Sequence, residues 1–160
     1  MIYGLIDQNI HEYYTYMNTV FDAIENAQKQ YNWLVTDCVC YPKDKNIKQM
    51  LDREYCWLSG DELSELTYKE DFQWIWGALC GFEKDIPLDE ILKHPLPSAE
   101  NYDGYYNNPV SFQHPLSSLE IIPCDSSWVI LISKNKSIID SYKHKYPQAE
   151  DLSAFNERSL

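Results

Sequence analysis

The segment SLEIIPCDSSWVILISK, residues 118–134, contains two apolar runs separated by a short polar turn. Both runs are rich in Ile, Leu and Val, and Asp125 and Ser126 stand between them, which is typical of two strands joined by a tight turn. Strands connected this closely pair in the antiparallel direction. The segment therefore predicts a β-hairpin within a mostly antiparallel sheet.

The N-terminal part of the chain predicts a strand, a long helix and a second strand. Residues 1–6 and 32–42 are rich in β-branched, aliphatic and aromatic side chains, as strands are. Between them, apolar residues recur at spacings of three and four without Gly or Pro, which predicts a helix over residues 9–30. Asn9 and Glu12 resemble a capping box at its start.

Shorter elements are predicted in the rest of the chain: strands at residues 53–60 and 71–83, and helices at residues 59–66, 86–94 and 137–146. This order lacks the regular strand–helix alternation of a doubly wound fold. We therefore predict one α+β domain over residues 1–160. Its mixed, mostly antiparallel sheet is packed by the long N-terminal helix and a C-terminal helix.

The 160-residue chain has a formal net charge of −12, and the charge is concentrated in the middle. Residues 51–125 contain 4 Lys/Arg and 15 Asp/Glu, whereas the segments before and after them are nearly neutral. Binding to nucleic acid or to an anionic membrane surface requires a surplus of basic residues. The charge therefore argues against both partners, and no apolar run is long enough to span a membrane.

The sequence offers no motif for a cofactor or a metal. Gly-rich phosphate loops and the common hydrolase and metalloprotease motifs are absent. Cys38 and Cys40 lack the second Cys or His pair of a zinc site, so core cysteines are the favoured interpretation. Residues 1–14 contain neither the basic region nor the apolar region of about 7–15 residues that is typical of a secretion signal. We therefore expect a cytoplasmic protein with reduced thiols and without a cofactor.

A long irregular stretch at residues 94–115 supports an alternative function. His94 and His114 flank it, and both precede a proline. If the two imidazoles met Cys124 in a pocket, the chain would be a small enzyme or a ligand-binding protein. A general interaction scaffold is a third alternative.

Acidic residues interleaved with tyrosines form the clearest functional pattern. ENYDGYYNN (residues 100–108), DELSEL and IPLDEIL carry it. Tyrosines supply contact area at interfaces, and carboxylates attract a basic partner. The predicted partner-binding residues are Asp61, Glu62, Glu65, Asp85, Asp89, Glu90, Glu100 and Asp103 as an acidic side, with Tyr102, Tyr105 and Tyr106 as anchors.

In this acidic, aromatic-rich character the chain resembles bacterial immunity proteins, including those of contact-dependent growth inhibition systems. The three segments above carry the resemblance, and immunity proteins share no common motif from which residues can be transferred. The resemblance implies a non-catalytic cytosolic protein that binds one basic toxin domain, often a nuclease, and covers its active site or a nearby surface.

Overall fold

The computed structural model describes residues 1–8 and 15–159. Its strands are β1 (Tyr3–Asp7), β2 (Asn32–Cys40), β3 (Tyr55–Ser59), β4 (Trp74–Phe82), β5 (Leu119–Cys124), β6 (Trp128–Ser133) and β7 (Glu150–Asp151). Its α-helices are α1 (Met17–Ala23), α2 (Lys45–Leu51), α3 (Gly60–Lys69), α4 (Leu88–Ile91), α5 (Lys136–Lys145) and α6 (Leu152–Arg158). Two 3₁₀ helices cover Ala27–Gln30 and Gly104–Tyr106.

The described strands form one sheet in the order β3-β2-β4-β5-β6-β1-β7. Every pairing between these strands is antiparallel, so the predicted α+β class with a mostly antiparallel sheet is confirmed. The predicted hairpin is the β5–β6 pair. Asp125 and Ser126 have φ angles of 51° and 57° at its turn, as the hairpin turn with two left-handed central residues requires.

The prediction of one long N-terminal helix is wrong. Helix α1 ends at Ala23, and Glu25 and Asn26 adopt left-handed φ angles of 56° and 61°. The Asn26 N–H donates to the Phe21 carbonyl, which closes the helix as a C-terminal capping motif does. The apolar spacing continues because the following 3₁₀ helix still buries Ala27. Residues 9–14, including the proposed Asn9–Glu12 capping box, lie outside the described residues.

The sheet separates two layers of chain. On one face, here called the helical face, Trp33, Val35 and Leu79 pack with side chains of α1, α2, α3 and α5. On the other, the loop face, the alternate residues of the same strands pack under residues 83–118 and under α6. The division follows from the strand period of two, which sends successive side chains to opposite faces. It determines where each predicted site residue lies.

Helix α3 begins where the sequence indicates. The Ser59 hydroxyl accepts from the Glu62 N–H at 3.0 Å, and the Glu62 carboxylate accepts from the Ser59 N–H at 2.9 Å. This reciprocal pair is a capping box, and it fixes the start of the helix directly after β3. Leu63 and Leu66 then point into the helical-face core, whereas Asp61, Glu62 and Glu65 are exposed.

Candidate functional site

The eight predicted carboxylates do not lie on one side of the molecule. Asp61, Glu62 and Glu65 are exposed on α3, over the helical face. The other five belong to the segment that covers the loop face: Asp85, Asp89, Glu90, Glu100 and Asp103. The sheet lies between the two groups because the chain changes face along β4. The expectation of a single acidic side is therefore wrong.

The tyrosines at 102–106 pack toward the protein rather than outward. Tyr105 is 2% exposed, and its hydroxyl donates to Glu120 at 3.0 Å. The Tyr102 ring lies edge-on against Tyr105, and the Tyr106 hydroxyl accepts from the Trp128 indole N–H at 3.1 Å. Tyr105 is therefore unavailable as an anchor for a partner, and the other two rings are half-buried in the loop-face core.

Most of the predicted carboxylates form no ion pair with another described residue. Of the eight, only Glu90 forms an ion pair within the described residues, with Lys93 at 2.7 Å. Exposed carboxylates without a nearby cation leave the surrounding field negative. The surface thus keeps the acidic character expected from the sequence, although it is divided between two faces.

A groove of about 460 Å³ lies between α1, the 3₁₀ helix Ala27–Gln30 and α3. We call it the acidic groove; its lining includes Asp22, Asn26, Gln28, Asp61, Glu65 and Tyr68. Three carboxylates line it, those of Asp22, Asp61 and Glu65, together with the ammonium of Lys29. Asp22 is ion-paired with Lys145 at 3.5 Å, so Asp61 and Glu65 carry the remaining negative charge of the lining. Its volume falls in the range of about 300–1,000 Å³ that is typical of ligand pockets.

Tyr68 gives the acidic groove an exposed aromatic wall. Its side chain is 88% exposed, which is unusual for a large ring. Asp61, Glu65 and Tyr68 are spaced by four and three residues, so they form one stripe along α3. The sequence analysis missed Tyr68 because it ended this helix at residue 66. The same helical spacing, continued by one turn, would have included it.

Gly60 allows the two walls of the acidic groove to approach each other. A Cβ atom at this position would lie 2.4 Å from the Gln28 carbonyl oxygen and 2.6 Å from the Lys29 Cα. Both are backbone atoms that cannot rotate away. Hydrogen bonds from the Gln28 amide to Ser64 and from Asn18 to the Thr67 carbonyl, both at 3.0 Å, join the same walls.

We therefore expect Gly60→Ala to lower the free energy of unfolding by roughly 1–3 kcal/mol, because an added methyl group forces backbone movement. Gly77→Ala is the matched control: its nearest contact would be a Trp74 side-chain atom at 3.2 Å, so its loss should be smaller. Urea unfolding followed by tryptophan fluorescence measures both variants. Equal losses would contradict the close-approach explanation.

The predicted assembly of His94, His114 and Cys124 forms only in part. The two imidazoles meet with ring centroids 5.0 Å apart. The His114 backbone N–H donates to Glu120 at 3.0 Å, so His114 lies beside Glu120. Cys124 is four residues farther along β5, and its thiol donates to the Ile122 carbonyl at 3.4 Å. That span is about 13 Å at the usual rise of a strand. The three-residue site is therefore wrong.

His114 uses both ring nitrogens in structural hydrogen bonds. Its Nδ1 accepts from the Leu116 N–H at 3.1 Å, which places the ring proton on Nε2, and Nε2 donates to the Ile91 carbonyl at 3.0 Å. The residue is 1% exposed. Neither nitrogen is left to bind a metal or to remove a proton from a substrate.

Stability should fall below neutral pH because of His114. Burial lowers the pKa of this imidazole below its ordinary 6.5. Below pH 6.5 the unfolded chain binds a proton there that the folded chain does not, so the free energy of unfolding decreases as pH falls toward the folded-state pKa. The slope is at most about 1.4 kcal/mol per pH unit.

Urea midpoints at pH 7.5, 6.5 and 5.5 measure this dependence. We expect His114→Gln to be less stable at pH 7.5 but to lose less on acidification, since glutamine does not titrate. His144→Gln, at an exposed position in α5, is the matched control and should keep the wild-type slope. An unchanged slope in His114→Gln would show that other groups carry the pH dependence.

The cysteines are not poised for nucleophilic chemistry. All five are unpaired, and burial raises the pKa of each thiol, to about 11 for Cys40 and to about 12 for Cys124. The thiolate is the reactive form, and at neutral pH these thiols stay protonated.

Glu120 is the most completely bonded polar side chain of the loop face. It is fully buried, and it accepts hydrogen bonds from Tyr105 Oη, Gln113 N, His114 N and Ser117 Oγ at 2.7–3.0 Å. A carboxylate has about four lone-pair sites, so every site is filled. The sequence analysis did not single out this residue; a lone Glu inside the apolar run of β5 was the available signal.

No protein-family model matches the chain, and no curated protein or solved structure matches it either. Among residues 1–8 and 15–159, no group of three His, Cys, Asp or Glu side chains is arranged to hold a metal ion. In the same part of the chain, no helix has the length and apolar character needed to cross a bilayer.

Proposed function

We propose that this chain is a non-catalytic acidic protein that binds a basic protein domain, and that it acts as an immunity protein against a cognate toxin. One observation carries the proposal: the acidic groove joins Asp61 and Glu65, which form no ion pair within the described residues, to the exposed ring of Tyr68. Tyrosine is enriched among the residues that dominate binding energy at interfaces, and it loses few torsions when it is immobilised.

Charge supports a cationic partner. The chain carries a net charge of −12, and complementary charges accelerate association and exclude partners of the wrong sign. A basic nuclease domain has a cationic cleft for phosphates, and a carboxylate surface can occupy such a cleft. Five free cysteines fit a reducing compartment, and we propose the bacterial cytoplasm as the place of action.

The proposed binding surface includes only some of the residues predicted from the sequence. Asp61, Glu65 and Tyr68 form its centre, and Glu62 lies beside them but is engaged in the capping box. The loop-face acids belong to a separate surface, and Tyr105 is buried. Asp89 and Glu90, exposed on α4, therefore serve as internal controls for the effect of charge alone.

Co-expression with a neighbouring gene tests the proposal. We expect a gene adjacent to the one for this chain to encode a large secreted protein with a basic C-terminal domain. Expressed alone in a bacterial host, that domain should stop growth, and co-expression of this chain should restore it. The purified pair should form a 1:1 complex that dissociates at high salt.

The proposal fails if the neighbouring domain is toxic and this chain neither restores growth nor binds it. An unrelated acidic protein of similar net charge, expressed at the same level, is the control for non-specific neutralisation. Equal protection by that protein would also contradict the proposal, because immunity requires a specific interface rather than bulk charge.

A further inference from the structure

We propose that the acidic groove binds the guanidinium group of one arginine side chain presented by the partner. This inference rests on the proposed function, and it names the group that the groove recognises. It is carried by two independent observations: the carboxylates on the groove wall and a buried amide at the groove that lacks a hydrogen-bond partner.

The amide belongs to Gln28, which is 1% exposed and lines the groove. Its Nε2 donates to Asn26 Oδ1 at 3.1 Å and to Ser64 Oγ at 3.0 Å. Its Oε1 is buried and has no partner within the described residues. Asn26 and Ser64 line the same groove, so the amide head lies at the groove itself.

The Gln28 Nε2 donates to the Ser64 hydroxyl, which itself donates to the Gly60 carbonyl at 2.7 Å. In this arrangement the carbonyl oxygen is the atom of the Gln28 amide that has no hydrogen-bond partner within the described residues. A buried acceptor without a partner destabilises the folded state, so a ligand that brings a donor is favoured.

Arginine fits this set of acceptors better than lysine does. The acceptors are the Gln28 carbonyl and the carboxylates of Asp61 and Glu65, which lie one helical turn apart. A guanidinium is planar and holds five N–H donors in a fixed arrangement, so one group can serve several acceptors at once. An ammonium is a compact point charge that gives up its hydration less readily.

Two further side chains suit an arginine. The ring of Tyr68 stands exposed on the wall of the groove, where a guanidinium can stack on its face. Lys29 is the one basic residue that lines the groove, and it forms no ion pair within the described residues. Its ammonium is therefore not bound to the carboxylates that an incoming arginine would meet, although its positive charge remains within the groove.

A titration with L-arginine amide tests the inference on the intact chain. This probe has no carboxylate and carries the guanidinium that the proposal requires. In ¹⁵N-labelled protein, the Gln28 side-chain amide and the backbone amides of α3 should shift, with saturation at millimolar concentrations. L-lysine amide should bind at least about threefold more weakly. Asp61→Asn/Glu65→Gln should weaken arginine amide binding at least about fivefold, and Lys29→Gln should strengthen it.

Asp89→Asn/Glu90→Gln, on α4, is the matched control and should leave the titration unchanged. Absence of shifts at the groove, equal binding of the lysine and arginine probes, or shifts spread over α4 would overturn the inference. Its failure is distinguishable from that of the proposed function. Growth rescue without arginine binding would support the immunity role and reject the arginine site. Arginine binding without growth rescue would support the arginine site and reject the immunity role.

Discussion

Glu120→Ala is expected to lower the free energy of unfolding by about 4 kcal/mol. The substitution removes a fully buried carboxylate and leaves four donors without an acceptor, those of Tyr105, Gln113, His114 and Ser117. Each buried donor that loses its partner costs about 1–3 kcal/mol, and relaxation of the loop face recovers part of the sum. Urea unfolding at pH 7.5 measures the loss.

Two further variants make this expectation specific. Glu120→Gln keeps the shape but places an amide N–H against a donor, so it should lose about 2–3 kcal/mol. Glu157→Ala, at an exposed position of α6, should stay within about 0.5 kcal/mol of the wild type. If Glu120→Gln were as stable as the wild type, the four hydrogen bonds would not hold the loop face together.

Charge reversal in the acidic groove is expected to have the largest effect on binding. Asp61→Lys/Glu65→Lys should weaken the affinity for the neighbouring basic domain at least about 100-fold, which corresponds to about 2.7 kcal/mol, because two attractions become repulsions. Titration calorimetry at low and high salt measures it. In this variant the affinity should also depend less strongly on the salt concentration than in the wild type.

Asp89→Lys/Glu90→Lys changes the net charge by the same amount on the opposite side of the sheet. We expect it to slow association slightly and to leave the dissociation rate unaltered, since distant charges act mainly through steering. Equal losses in the two double variants would mean that overall charge, and not the acidic groove, determines binding. A normal affinity in the α3 variant would place the interface elsewhere.

Local signals in the sequence predicted the framework well. The 118–134 hairpin and the start of the helix predicted at residues 59–66 are set by residues within a few positions of one another, and both are confirmed. The helix predicted at residues 137–146 is also confirmed, as α5. Such features follow from turn chemistry and periodicity, which do not need the rest of the fold.

The sequence did not reveal on which side of the sheet each acidic segment lies. The acids of α3 and α4 are near neighbours along the chain, but β4 separates them in space. Tyr105 was predicted as an anchor for a partner from the composition of its segment, but it is buried, and its hydroxyl donates to Glu120, fifteen positions away. The break after Ala23 also escaped prediction, because Glu25 and Asn26 take a left-handed conformation that apolar spacing does not reveal.

Residues 83–118 contain little regular structure, yet Glu120 ties them to the central sheet at Tyr105, Gln113, His114 and Ser117. Because several residues of this segment donate hydrogen bonds to one core carboxylate, we expect the segment not to unfold separately from the sheet. We therefore expect its protected amides, such as the Gln113 and His114 N–H groups, to exchange with solvent deuterium only when the sheet itself opens. Despite its irregular outline, this half of the protein then belongs to the same cooperative unit as the strands beneath it.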